Sequence, residues 1–382
     1  MANLSFSEIS TAMKNPYKQS RRKFIIKSLQ NGALIGGGAV LPFSGLASTV
    51  PGTSPTINAP RLPLNIWLSS NMVDEKLEEI KQISPEINVI KNLGEASKNE
   101  ILPTIDVVFG RISEADLRKA ERLKWVHSSS AGVEKQLFPA MMERSEIVMS
   151  NAKGCYGPAI AEHVFGLLFS LTRGIKEQSL NMAAGNWQGV DHQIEMRNLT
   201  MGIIGYGGIG REIARRAKAM DLKVVAADIR PMTQESTGNI VDELHEMGFG
   251  GFENVLEQSH ILVSAVPHTR KTEGMFNEKV FNQLPKDSYF INISRGKVAN
   301  TQDLMKALDA GRLAGAGLDV TDPEPLPQSH PLWQYPNVII TSHISGRSQY
   351  SHLRSQEVFV RNVKRWVEGL PLIHKVDKEA GF

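Results

Sequence analysis

The sequence predicts an α/β protein built on doubly wound parallel sheets, and three observations carry that prediction. Apolar runs of strand length alternate with helix-like segments from Leu62 almost to the end of the chain. A glycine-rich turn, Gly205-Tyr206-Gly207-Gly208-Ile209-Gly210, separates one such run from a helix. Polar residues gather directly after the later strands, where a parallel sheet presents its ligand-binding edge.

Before these elements lies a basic leader, residues 1–50, with six basic residues (Lys14, Lys18, Arg21, Arg22, Lys23, Lys27) and one acid, Glu8. The chain's 43 basic and 40 acidic side chains thus leave 37 and 39 for the body, a charge of −2, which argues against nucleic acid as partner. Ser20-Arg21-Arg22-Lys23-Phe24-Ile25-Ile26-Lys27 resembles the S-R-R-x-F-L-K pattern of a twin-arginine export signal. A modestly apolar run follows from Gly32 to Leu46, and Gly45 and Ala47 would suit a peptidase. Other readings are a disordered basic arm or a retained anchor, but Gly36-Gly37-Gly38 and Pro42 sit badly in so short a span. The expectation is export to the periplasm without stable membrane insertion once the leader is removed, or cytoplasmic residence if it is not used. Residues 51–61, with Pro51, Gly52, Pro55 and Pro60, read as a linker.

The body begins with a small α/β unit over residues 62–157. Asn65–Leu68, Val107–Phe109, Trp125–Ser128 and Ile147–Met149 are strand candidates, and Glu75–Gln82 and Glu114–Leu123 are helix candidates. Pro158 then opens an apolar helix, Ala159–Arg173, because proline suits a first helical turn. Residues 158–346 form the second unit. Met201–Ile204 reads as a buried strand, Arg211–Met220 as a helix, and Lys223–Ala227 as a strand ending on Asp228. Gly205, Gly207 and Gly210 stand at the G-x-G-x-x-G spacing between them. Strand, glycine turn, helix, strand and acid in that order are a Rossmann-type dinucleotide-binding unit. Gly205 permits the tight turn, Gly207 lets the backbone approach a pyrophosphate, and Gly210 allows close helix–strand packing. Free N–H groups at the helix start would face the phosphates. Asp228 would accept hydrogen bonds from ribose hydroxyls and repel a 2′-phosphate, favouring NAD over NADP, although Arg230 would partly compensate.

The alternation continues with strands His260–Ala265, Ser288–Ile293, Gly315–Val320 and Val338–Thr341, and helices Asn277–Gln283 and Thr301–Ala310, the latter ended by Gly311. Ser348–Glu368 reads as a long helix able to cross back, so that residues 347–382 complete the first unit. A content of 41% hydrophobic and 22% charged residues is that of an ordinary soluble globular protein. Cys155 is the only cysteine, which excludes internal disulfides and thiolate clusters and reads as a small buried residue. The histidines lack the spacing with acids that a metal site needs, so no metal is expected.

From about Leu62 to Leu372 the chain resembles the D-isomer-specific 2-hydroxyacid dehydrogenases. The resemblance rests on ordered motifs: Leu123-Lys124-Trp125-Val126 with Ser130-Ala131-Gly132-Val133, Ala161-Glu162-His163, the glycine fingerprint, Asn292-Ile293-Ser294-Arg295-Gly296, Leu318-Asp319-Val320 with Glu324-Pro325-Leu326, and Thr341-Ser342-His343. It implies a Rossmann-type nucleotide-binding domain beside a smaller flavodoxin-like substrate domain, assembled as a homodimer. It also implies Arg295 for substrate, Glu324 as support and His343 as acid/base. Backbone N–H groups around Ala131 and Gly132 would hold the substrate carboxylate. Gly208, Ile209, Asp228, Val266, Pro267, Thr272, Ile293 and Asp319 would contact the dinucleotide.

The chemistry of the residues agrees. Reducing a 2-keto acid needs a cation for the carboxylate and carbonyl, a hydride donor, and an acid for the new alkoxide. Arg295 offers a permanently charged fork, His343 a proton carrier, and Glu324 a carboxylate to orient the ring. Departures from the commoner family pattern (His268, Arg270-Lys271, Ser342, Ser345 and Arg347) leave substrate size and polarity open. Two other readings stand beside the NAD-dependent 2-hydroxyacid dehydrogenase. One is a dinucleotide-binding sensor or corepressor; the other is the same fold acting on another small anion such as phosphite. Glu324 disfavours formate, for which the resemblance would imply glutamine.

Overall fold

The computed structural model describes residues 62–91 and 94–381. The expected leader, 1–50, and linker, 51–61, lie outside the described residues. The first sheet is built from β1 (Leu64–Leu68), α1 (Asp74–Ile83), β2 (Ile87–Lys91), α2 (Glu95–Ile101), β3 (Val107–Phe109), α3 (Glu114–Lys119), β4 (Trp125–Ser128), α4 (Pro139–Glu143) and β5 (Val148–Asn151). Its strands are all parallel, in the order β2-β1-β3-β4-β5. That is the flavodoxin-like doubly wound order.

Next come α5 (Gly157–Thr172), α6 (Ile175–Ala183), β6 (Thr200–Ile204), α7 (Gly208–Ala219), β7 (Lys223–Asp228), β8 (Glu243–Glu246), α8 (Phe252–Gln258), β9 (Ile261–Ser264), α9 (Glu278–Gln283), β10 (Ser288–Asn292), α10 (Thr301–Asp309), β11 (Leu313–Leu318), β12 (Val338–Ile340) and α11 (Ser351–Val367). The second sheet is also parallel throughout, ordered β12-β11-β10-β9-β6-β7-β8. Counted from β6, this is the Rossmann order 3-2-1-4-5-6 with one further strand at the edge.

Period-two geometry explains why the central strands read as unbroken apolar runs. Ile203 of β6 packs on one face with Ile160, Leu168 and Ile213 of α5 and α7. Its neighbour Ile204 packs on the other with Leu256, Phe281 and Leu304 of α8, α9 and α10. The last helix returns the chain to the first sheet, where Phe359, Val363 and Trp366 of α11 pack against Leu64, Ile66, Phe109 and Trp125.

Several boundaries differ from the sequence expectation. The helix expected over Glu114–Leu123 stops at Lys119, and Ala120 leaves the helical region with ψ of 73°. Arg144 gathers the carbonyls of Ala120 and Glu121 at 2.8 and 3.2 Å, replacing the bonds that further turns would have made. The strand expected over Gly315–Val320 runs two residues earlier. The helix expected from Arg211 starts at Gly208, so the glycine turn is itself the first helical turn. Strands β2 and β8 were not anticipated; both lie at sheet edges. Among the described residues, no helix is long and apolar enough to cross a membrane.

Candidate active site

The glycine turn is fixed by close backbone approach. Gly205 has φ of +95°, and a Cβ there would lie 2.6 Å from the Ala265 carbonyl oxygen. A Cβ on Gly210 would lie 2.3 Å from the Gly205 carbonyl oxygen. Gly207 differs: a Cβ there would meet nothing within 4 Å, and it precedes α7, whose start has no side-chain cap. Gly208 and Ile209 open that helix. Uncapped N–H groups beside open space fit the pyrophosphate of a dinucleotide.

Asp228, 6% exposed, ends β7 next to this turn. The Tyr206 N–H donates to its Oδ2 over 2.8 Å, and Arg230 donates through Nε to Oδ1 over 2.9 Å and through Nη2 to Oδ2 over 3.1 Å. Burial would raise the carboxyl pKa, but the Arg230 bonds outweigh it and hold the group below the usual carboxylate range. Lys153 lies within reach of the same pair. Burial lowers its pKa, the Arg230 charge lowers it further, and Asp228 opposes both.

Val266 and Pro267 follow β9, Ile293 follows β10 and Asp319 follows β11, three neighbouring strands whose carboxyl ends stand side by side. Thr272 closes the turn after β9, its hydroxyl donating to the Pro267 carbonyl over 2.7 Å and accepting from the Thr269 N–H over 2.8 Å. Asp319 is 1% exposed and faces the next loop. Its Oδ1 accepts from the Thr341 hydroxyl over 2.6 Å and the Ile344 N–H over 2.9 Å, and its Oδ2 from the Ser345 N–H over 3.0 Å. His163 of α5 braces this arrangement, with Nε2 2.8 Å from the Thr341 hydroxyl and 3.6 Å from Asp319 Oδ1.

That loop carries His343 at φ of +53°, uncommon for a residue with a side chain. Its Nδ1 lies 2.8 Å from Oε1 of Glu324, which follows β11. Arg295 follows the adjacent β10. Its Nε is 3.0 Å from Oε1 of Glu134 and its Nη1 donates to the Ser294 carbonyl over 2.7 Å. Gly132 lies directly against the guanidinium, since a Cβ there would fall 1.8 Å from Arg295 Nη2. Ala131 presents its carbonyl to the Asn151 amide over 2.7 Å.

The structure therefore joins His343 to Glu324, and Arg295 to the Ala131–Gly132 loop, with the bearers of all three side chains at the ends of β10, β11 and β12. Sequence reasoning missed Glu134, although it stands one residue beyond the quoted Ser130–Val133 motif. It also missed the Asp319–Thr341–His163 bracing, because nothing in the spacing shows which way a buried carboxylate points. Cys155 is buried, and burial pushes its thiol up to about 11, the direction of a structural rather than a reactive thiol.

Comparison with known proteins places this arrangement. Residues 165–345 match the family model described as D-isomer specific 2-hydroxyacid dehydrogenase, NAD binding domain. A glyoxylate reductase of Thermofilum pendens is 32% identical over 255 residues, covering 65% of this chain and 74% of the relative. The chain belongs to the D-isomer specific 2-hydroxyacid dehydrogenases. A solved family member from Aeromonas salmonicida superposes with a TM-score of 0.71 at 29% identity, over 83% of this chain and 99% of that one. An NADPH-dependent glyoxylate/hydroxypyruvate reductase from Sinorhizobium meliloti, solved with NADP and sulfate, gives 0.69 at 27% identity, over 84% and 100%. This dehydrogenase is thus an oxidoreductase of CH–OH groups with an NAD(P)-binding domain.

Proposed function

We propose that this dehydrogenase interconverts small D-2-hydroxy acids and 2-keto acids with NAD(H), using His343 as acid/base, Glu324 as its support and Arg295 as the substrate anchor. The observation that carries the reading is the 2.8 Å contact between His343 Nδ1 and Glu324, which fixes the ring on one edge and leaves Nε2 for the substrate oxygen. A dinucleotide held at the Gly205–Gly210 turn would supply or accept the hydride. Arg295 holds the carboxylate and polarises the carbonyl, and the backbone N–H groups of Ala131 and Gly132 add donors from the other sheet's loop. Glyoxylate and hydroxypyruvate, the substrates in the names of similar proteins, are the first to test. Oxidation of NADH by the purified protein with a panel of 2-keto acids is the direct assay, and phosphite with NAD belongs in the same panel.

NADP is the second reading for the cofactor. Arg230 already grips Asp228 and, turned outward, would meet a 2′-phosphate. A homodimer is supported by an apolar surface on the nucleotide side. No residue of α6 is buried, and Ile175, Leu180, Met182 and Trp187 in and after it stand exposed. Sedimentation of the wild type and of Trp187→Ala tests that assembly. Export by the twin-arginine route, suggested by Ser20–Lys27, is tested by fractionating cells that express the intact chain and Arg21→Lys/Arg22→Lys.

A further inference from the structure

The guanidinium of Arg295 is not free to choose its orientation. Glu134 sits in the short turn Glu134–Gln136, in the loop after β4 of the first sheet, whereas Arg295 follows β10 of the second. Between them, Arg295 Nε lies 3.0 Å from Glu134 Oε1 as an ion pair, and Nη2 donates to Oε2 over 3.4 Å, so both carboxylate oxygens lie against the guanidinium. Nη1 donates to the Ser294 carbonyl over 2.7 Å. An arginine has five N–H donors. Nη1 and Nη2 each commit one in these hydrogen bonds, which leaves one N–H on each for the oxygens of a substrate.

The loop is shaped around this pairing. Gly132 has no left-handed φ that would call for glycine, yet a Cβ there would come 1.8 Å from Nη2 and 2.7 Å from Glu134 Oε2. The ion pair fills the space a side chain at 132 would take, so any such side chain would displace it. Both partners are about one-third exposed, at 32% and 33%, so the pair itself adds little stability and a role in presentation accounts for it better.

We infer that Glu134 is a positioning residue for the substrate: it holds the Arg295 fork from the opposite sheet, so that the N–H groups left on Nη1 and Nη2 face the oxygens of an incoming 2-keto acid. The inference rests on Arg295 being the substrate anchor, as proposed above. Because Glu134 neutralises Arg295, a monoanionic substrate gains geometry more than net charge at this site. Were Glu134 instead a competitor for the fork, its removal would tighten substrate binding, so the sign of the change decides.

The experiment is steady-state kinetics of the full chain with glyoxylate varied at saturating reduced dinucleotide, for wild type, Glu134→Ala and Glu134→Gln, with dinucleotide affinity measured by fluorescence titration. Glu134→Ala should raise KM for glyoxylate about tenfold or more, the loss expected of one charged hydrogen bond, while kcat changes several-fold less and dinucleotide affinity stays the same. Glu134→Gln, which keeps an acceptor of the same shape, should recover part of that loss. A KM that is unchanged or lower in both variants overturns the inference. If Glu134→Ala fails to bind the dinucleotide, its fold is disturbed and Glu134→Gln alone decides, by a raised KM or not. A wild type inactive on every keto acid tested would instead overturn the proposed function, a distinct outcome.

Discussion

Asp319 and His343 are joined through the backbone: the His343 N–H donates to the Asp319 carbonyl oxygen over 2.8 Å, while the Asp319 carboxylate takes the two N–H groups that follow, of Ile344 and Ser345. The backbone of His343 is held in a left-handed conformation by a buried acid whose carboxylate bonds the next two N–H groups, while the imidazole itself meets Glu324. Asp319→Asn keeps the size of the side chain but turns one acceptor into a donor facing an N–H group. The loop should relax and kcat should fall about tenfold or more, with KM for the keto acid changed much less. A kcat within twofold of wild type would show that the loop holds its shape without that carboxylate.

The glycines of the turn should separate by what surrounds them. Gly207→Ala adds a methyl to open space, so Tm should stay near that of wild type while dinucleotide affinity falls, since the methyl occupies the approach to the phosphates. Gly210→Ala drives a Cβ into the Gly205 carbonyl and should also destabilise the fold, by about 1–3 kcal/mol. Calorimetry and dinucleotide titration of the two variants check the contrast. Equal losses of stability would contradict it.

Cofactor preference should be set by the Asp228–Arg230 pair. Arg230→Ala frees both Asp228 oxygens that Arg230 occupies, and removes the cation paired with that carboxylate. The ratio of NADPH to NADH affinity should fall about tenfold or more. A ratio unmoved by the substitution would mean that this pair does not read the ribose.

His127 gives the fold an acid-side weakness. It is fully buried, Nδ1 lies 2.7 Å from the Ser150 hydroxyl, and Nε2 has no partner. Burial, aided by the charge of His374, pushes its pKa down to about 3, against ~6.5 in an unfolded chain. Between those values the unfolded state binds a proton that the folded state refuses. The stability is therefore complete above the unfolded value and declines as pH falls below it, by up to about 1.4 kcal/mol per pH unit. Denaturant titrations from neutral pH down to pH ~5 should show a loss of stability in wild type that His127→Asn, able to keep the Ser150 contact, reduces. Parallel pH curves for the two proteins would contradict this.

Much of this architecture was legible because the buried strands are short and apolar. β6, β9 and β10 are buried at every position, so Ile203, Val263 and Ile291 stand in runs that only a covered parallel sheet explains. β8 was not legible: Glu243-Leu244-His245-Glu246 is an edge strand whose side chains meet solvent, and its pattern is that of a loop. β2, Ile87–Lys91, also lies at a sheet edge, but its Ile-Asn-Val-Ile run is strand-like and Ile87 is buried, so that strand was legible and overlooked. At the site, Arg295, Glu324 and His343 could be named because their chemistry is uncommon at strand ends. Glu134 and Arg230 could not be assigned their partners, since an ion pair across 161 residues or a fork folded back on its own strand end leaves no mark in spacing.

The central claim is that His343, supported by Glu324, moves the proton while the dinucleotide carries the hydride. Its most direct measurement is the loss of reduced-nicotinamide absorbance with glyoxylate and hydroxypyruvate, for wild type, His343→Ala and Glu324→Gln, beside dinucleotide titrations of each. Turnover by wild type, a fall of roughly 10²–10⁴-fold in kcat for His343→Ala, a smaller fall for Glu324→Gln, and unchanged dinucleotide affinity are the predicted result. Full turnover by His343→Ala, or a wild type silent with every keto acid in both directions, would contradict it.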